Sequence, residues 1–306
     1  MTIFSTSTSA FYERSRTGMT ALRMQAEALQ QQLGSGERLA RSSDDPVAAS
    51  RLRTLARSDR LTQIDTANAE RAATDLTLTD TALSAFAETL TRARELAVQA
   101  GNDTLTPVQR AAIGTELEQI HGHLVSLANA RDSAGHALFG GETPGDAYGI
   151  DVSGNAVYLG TGNAGELSLG DGQSVTRGLT GPEFLNFDPG TGATDTFAVI
   201  RDLALALGGA SADPAQSARD ALGALAGALD AVTTSQTVVG TRLAWIDFVT
   251  DRHQDLGEMR AAEEADLGGT DIASTVAHLQ EAMLVLEASQ ASFAKLAGLS
   301  LFERLN

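Results

Sequence analysis

Residues 44–101 read DDPVAASRLRTLARSDRLTQIDTANAERAATDLTLTDTALSAFAETLTRARELAVQAG. From Val47 to Ala100 the stretch holds neither glycine nor proline. Asp45 stands where an N-cap carboxylate accepts from the first free amides. Pro46 takes the first helical position, where a missing N–H costs nothing. Gly101 supplies a C-terminal stop. The reading is one helix of about 55 residues, which at 1.5 Å per residue runs ~80 Å. That exceeds an ordinary globular helix and predicts a rod. A shorter helix follows, opened by a capping box of Thr106 and Gln109 with Pro107 between them.

The second half of the chain repeats this grammar. Asp213-Pro214 opens a helical stretch to about Leu267, stopped by Gly268-Gly269, and Thr270-Asp271 caps a last helix. The glycines at 223, 227, 240 and 257 weaken the signal for one unbroken helix there. Between the two flanks the composition changes. Of the 30 glycines, 15 lie from Gly135 to Gly192, a window with one base, Arg177, and seven acids. Ala156-Val157-Tyr158-Leu159, bounded by Ser153-Gly154-Asn155 and Gly160, carries strand and turn signals. The expected fold is mainly α with a β-rich insert: a long antiparallel helical rod, a terminal coiled coil and a glycine-rich β domain. The expected divisions are an N-terminal helix over 1–40, a long-helix domain over 41–134, the insert over 135–195, returning helices over 196–268 and a C-terminal helix over 269–306.

Both ends show heptad spacing. Tyr12, Ser15, Met19, Leu22, Ala26, Leu29 and Leu33 step by three and four, as do Ile272, Val276, Leu279, Met283, Leu286, Gln290, Phe293 and Ala297. Periodicity alone fits two amphipathic helices laid on a globular core or a coiled coil between the two ends. Residues 1–60 carry nine arginines and six acids, and residues 250–306 ten acids and four bases, so the ends attract. The seams mix small and polar residues with large ones, so residues 1 to about 40 and about 270 to 306 are expected to be largely disordered in the free monomer and to become a helical pair only on assembly.

Composition excludes several function classes. The net charge is −17, which disfavours nucleic acid and anionic membranes as partners. There is no cysteine, hence no disulfide, thiolate metal site or cysteine catalysis. The first residues lack the basic and apolar regions of a Sec signal, and no apolar run is long enough for a membrane helix. Gly160-Thr161-Gly162-Asn163-Ala164-Gly165 matches a dinucleotide-binding spacing, but strand-like Glu166-Leu167-Ser168-Leu169 follows where that site needs a helix. Ser292-Phe293-Ala294-Lys295 matches S-x-x-K without its companion motifs. His121 and His123 lie two apart on a helix and face different ways. No constellation of nucleophile, base and orienter assembles, so no enzyme, cofactor or metal is expected.

Five stretches resemble the flagellin family. Leu33-Gly34-Ser35-Gly36-Glu37-Arg38 through Asp44-Asp45-Pro46-Val47-Ala48-Ala49-Ser50 looks like the family signature after its first helix, with Ser35, Gly36, Arg38, Asp44, Asp45 and Pro46 at the matching positions. Its Pro-Val-Ala-Ala continuation is similar to the hook–filament junction branch rather than to filament subunits. Arg92 to Ala100 resembles a stretch shared by both branches, and Gly135-His136-Ala137-Leu138-Phe139-Gly140-Gly141 the junction branch's lead into its variable insert. Gly240-Thr241-Arg242-Leu243 looks like part of the penultimate helix. Ser300-Leu301-Phe302 is similar to junction-branch tails, from which Glu303-Arg304-Leu305-Asn306 departs.

The resemblance implies a structural subunit that is exported unfolded through the flagellar type III channel and joins hook to filament outside the cell. It implies a ring of copies, a hook-associated neighbour on the hook side, flagellin on the other, and an export chaperone at the C-terminal helix. The residues implied in assembly are Leu22, Leu29, Leu33, Val276, Leu279, Met283, Leu286, Phe293, Leu301 and Phe302. A filament-forming flagellin is the alternative reading, and a nucleotide-binding enzyme around Gly160–Gly165 a remote one.

Overall fold

The computed structural model describes residues 3–302 except 133 and 191, with side chains described over 10–295. The chain is mainly helical, 71%, with long antiparallel helix pairs and small β hairpins inserted. In order, the helices are α1 (Ile3–Ser35), α2 (Pro46–Ala100), α3 (Pro107–Ala128), the short α4 (Gly181–Leu185), α5 (Thr196–Leu205), α6 (Pro214–Gly268) and α7 (Ile272–Phe302). Between α3 and α5 come six short strands, β1 (Tyr148–Ile150), β2 (Ala156–Tyr158), β3 (Glu166–Gly170), β4 (Gln173–Thr176), β5 (Asn186–Phe187) and β6 (Thr194–Asp195). Contacts divide the chain into two compact units, Met1–Asp59 with Leu256–Asn306, and Arg60–Asp255.

The helix boundaries follow local chemistry. The Ala48 amide donates to Asp45 Oδ1 at 3.0 Å, so α2 begins at Pro46 with its predicted cap. At α3 the Gln109 amide donates to Thr106 Oγ1 while Gln109 Oε1 accepts from the Thr106 amide at 2.9 Å, closing the capping box. Asp213 Oδ1 accepts from the Gln216 amide at the start of α6. The helical stretch read from Asp213-Pro214 to about Leu267 is, despite its interior glycines, one helix of 55 residues, α6. Tertiary packing outweighs the propensity cost. A Cβ on Gly227 would stand 3.1 Å from the Phe187 ring, so there the small residue admits the insert.

In the 60–255 unit, α2 buries Ala69, Ala72, Leu76, Thr79, Leu83, Phe86, Leu90, Ala93, Ala97 and Ala100. These steps of three and four are a heptad stripe that small residues disguise in the sequence. Thr79 fits it because its hydroxyl donates to the Asp75 carbonyl at 2.8 Å. The same core takes in Leu117 and Leu124 of α3, Phe197 and Ile200 of α5, which packs on α3, and Leu225, Val232, Val239 and Ile246 of α6. The strands form three antiparallel hairpins, β1–β2, β3–β4 and β5–β6. They share this core rather than building their own. Phe139, Phe184, Leu169 and Leu185 are fully buried in it, and Phe86 packs edge-on to Phe184 at 5.2 Å and to Phe139 at 6.2 Å.

Arg177 is the one Lys or Arg in the glycine-dense window, and it binds the hairpins to the helices. Its guanidinium lies 3.5 Å from Asp75 of α2 and 3.2 Å from Asp132 after α3. Burial pushes the Asp75 carboxyl above its ordinary pKa despite the arginine. Asp132 is also desolvated, but the amides of His136 and Ala134 donate to it and hold its carboxyl below the usual range. Arg242 of α6 adds a second tie, donating to the Gly178 carbonyl at 2.6 Å.

Two substitutions test this packing by denaturant unfolding. Phe139→Ala empties the aromatic centre and should cost about 3–5 kcal/mol. Arg177→Met strands two buried carboxylates and should cost about 2 kcal/mol, below the usual loss for a buried pair because the arginine is partly solvated. Adding Asp75→Asn to Arg177→Met should recover part of that loss.

Candidate assembly site

In the unit formed by the chain ends, α1 and α7 pack antiparallel. The Tyr12 and Phe293 rings meet edge-on at 5.3 Å, and at the far end the Thr270 amide donates to the Gly36 carbonyl at 3.0 Å. Along α1 the positions turned from solvent over residues 10–35 are Tyr12, Ser15, Met19, Leu22, Ala26, Leu29 and Leu33, with Gln32 beside them. This is the stripe read from the heptads. Of the two sequence alternatives, α1 and α7 pair with each other.

On α7 the facing stripe differs by one position at alternate turns. The covered residues are Thr275, Val276, Leu279, Ala282, Leu286, Ser289 and Phe293. Met283 is 52% exposed and Ile272 66%, and Gln290 is also exposed. Two heptad stripes share Leu279, Leu286 and Phe293, and the sequence reading took the more apolar one. The structure instead turns the smaller residues Thr275, Ala282 and Ser289 from solvent. The larger apolar side chains Met283, Leu284 and Val285 are left in solvent. A groove of about 420 Å³ opens between the helices at Phe11, Met19, Leu22, Val285 and Phe293. The side chains of Ala297, Leu301 and Phe302 and the tail 303–306 lie outside the described residues.

The signature loop between α1 and α2 docks on the turn between α6 and α7. Gly36 takes φ 73°, a conformation that favours glycine, and exposes its carbonyl to Thr270. Ser35 Oγ accepts from the Glu37 amide, and Glu37 forms a bridge with Gly269. The Arg38 amide donates to the Gly268 carbonyl at 2.7 Å, and its guanidinium to the Leu267 carbonyl at 2.8 Å and to Asp45. Arg38 thereby satisfies carbonyls at the end of α6 while holding the cap residue of α2. Asp44 Oδ2 accepts from the Arg41 amide and fixes the loop. The motif was legible in the sequence, but these roles were not, because their partners lie some 230 residues away.

Two ion pairs brace the same unit. Arg51 grips Glu263 through two nitrogens at 2.6 and 2.8 Å, and Arg260 meets Asp59 at 2.6 Å. The arginine hydrogen bond holds Glu263 below its ordinary pKa, and the Ala48 amide does the same for Asp45. Lowered folded values mean that both groups add stability above the usual carboxylate range, which is lost as pH falls through those values.

The remaining sequence candidates have structural surroundings. After Gly165 the chain enters β3, so the glycine-rich segment has no helix N-terminus to hold a phosphate. His121 is half-buried edge-on to Phe197 at 5.9 Å, and desolvation lowers its pKa, while His123 is exposed. Among the described residues no three His, Asp or Glu side chains gather to hold a metal ion, and no helix is long and apolar enough to cross a membrane.

Residues 5–143 match the family described as the bacterial flagellin N-terminal helical region. Flagellar hook-associated protein 3 of Escherichia coli is 25% identical over 97% of this chain and 98% of its own length. In fold, the chain is similar to a flagellar hook-associated protein from Vibrio parahaemolyticus, with TM-score 0.68 and 24% identity, covering 74% of this chain and 100% of that one. It is also similar to the flagellar junction protein FlgL from Legionella pneumophila, with TM-score 0.60 and 15% identity, covering 72% and 100%. Over residues 5–143 the chain is thus similar to the flagellin family, and the relatives that it matches over 97% of its length are hook-associated proteins 3.

Proposed function

We propose that this chain is a structural, non-enzymatic subunit of the bacterial flagellum, working outside the cell at the junction between hook and filament. The observation that carries the reading is the end-to-end match to hook-associated protein 3, which takes in both terminal helices and the segments between them. The α1–α7 pair suits such a role. Its seam is built on small residues, and it leaves Met283, Leu284 and Val285 for other chains to cover. In this proposal the two ends form a coiled coil in the inner wall of the junction, the long helices form the body of each subunit, and the hairpins face outward. The neighbours are a hook-associated protein on the hook side, flagellin on the other, and further copies in a ring. Before export, a chaperone covers the apolar face of α7.

Deleting the gene should leave intact hooks while unassembled flagellin accumulates in the medium. Loss of flagellin itself leaves hooks with nothing to leak, so filament subunits in the medium decide between the two readings. Leu22→Asp and Arg38→Ala should reproduce the deletion phenotype while the melting of the 60–255 unit stays unchanged, because both lie in the other unit. Normal filaments on either variant would place assembly elsewhere.

A further inference from the structure

The 60–255 unit carries two open helix faces whose chemistries match. On α6, Trp245 and Phe248 stack at 5.6 Å with an interplanar angle of 25° and are 40% and 58% exposed. Trp245 is the one tryptophan of the chain. Asp247, Asp251 and Asp255 are exposed around the pair, and the nearby base, Arg252, turns to Asp171 at 3.8 Å. On α2, Leu61 and Ile64 are 53% and 59% exposed. At 100° per residue, Arg60, Ile64, Ala67 and Arg71 fall within about 60° of one another, with Leu61 at their flank. None of Arg60, Arg71, Asp247 and Asp251 forms an ion pair among the described residues.

A stacked aromatic pair in solvent is costly without a partner, and aromatic side chains dominate interface energetics. One face is aromatic with acids at its edge, and the other is aliphatic with arginines at its edge. A single chain leaves both open, so each can be filled by the other only between copies. Such a contact joins unlike patches, and repeated around an axis it generates a ring or an open helical array.

We propose that the Trp245–Phe248 face of one copy docks on the Arg60–Arg71 face of the next, making this the lateral self-association surface of the junction. The proposal rests on the junction reading and adds to it the residues that join neighbouring copies. Asp247 and Asp251 oppose Arg60 and Arg71, which selects a neighbour of this chain over a second acidic face.

The cysteine-free chain permits a direct test. Full-length protein carrying Ile64→Cys together with Phe248→Cys is expressed in cells that lack their own copy. Flagella are then purified and mildly oxidised. A reducible ladder of dimers and higher multimers is expected from the double variant, and none from either single variant. Arg60→Glu with Arg71→Glu should abolish the ladder, and adding Asp247→Arg with Asp251→Arg should restore it. Chain present in flagella without a ladder overturns the surface, as do dimers from Phe248→Cys alone, which indicate a like-to-like contact. Charge reversal without restoration also overturns it. Absence of the unsubstituted chain from purified flagella overturns the junction reading itself.

Discussion

The docking of Gly36–Arg38 on Leu267–Thr270 is the constraint from which the unit of the chain ends follows. Backbone hydrogen bonds from Arg38 and Thr270, and the Arg38 guanidinium on the Leu267 carbonyl, fix two helix corners against each other. With Thr270 held on Gly36, α7 must leave antiparallel to α1, and the face it presents is set at its first turn. That turn puts Thr275 and Leu279 inside, and heptad spacing then carries Ala282, Leu286, Ser289 and Phe293 along the seam. The one-position difference from the more apolar stripe is thus a consequence of the loop rather than of side-chain hydrophobicity.

That choice has an energetic side. Ordering each backbone residue costs about 1–2 kcal/mol. A seam whose buried members, among the described residues of these two helices, are Ala26, Thr275 and Ala282 offsets little of it. Helices in proteins gain most of their stability from an amphipathic face packed on something else. In the 60–255 unit that something is supplied within the chain by Phe86, Phe139 and Phe184. At the chain ends, in the proposed assembly, neighbouring subunits supply it by covering the apolar side chains left in solvent on α7.

Much of the fold was legible because helix ends are written in local chemistry. Asp45-Pro46, Thr106 with Gln109, Asp213-Pro214 and Asp271 all act within a few residues of the helices they open. The heptads of α1 were legible because one stripe of that helix is clearly the more apolar. The register of α7 was not, since two stripes share three large residues and the decision lies in a loop 230 residues earlier. The core stripe of α2 is hidden in the sequence because alanines and Thr79 hold six of the ten positions named above. Arg38, Arg177 and Arg242 act on distant carbonyls and carboxylates, and such pairings carry no local signal.

The central claim is that the α1–α7 pair draws its stability from assembly, whereas the 60–255 unit is stable alone. Amide hydrogen exchange on the purified chain and on isolated flagella measures this directly. The account predicts fast exchange over 22–33 and 276–293 in the free protein beside a protected 69–100 stretch of α2, and strong protection of all three in flagella. Equal protection of the terminal helices and α2 in the free protein would contradict it.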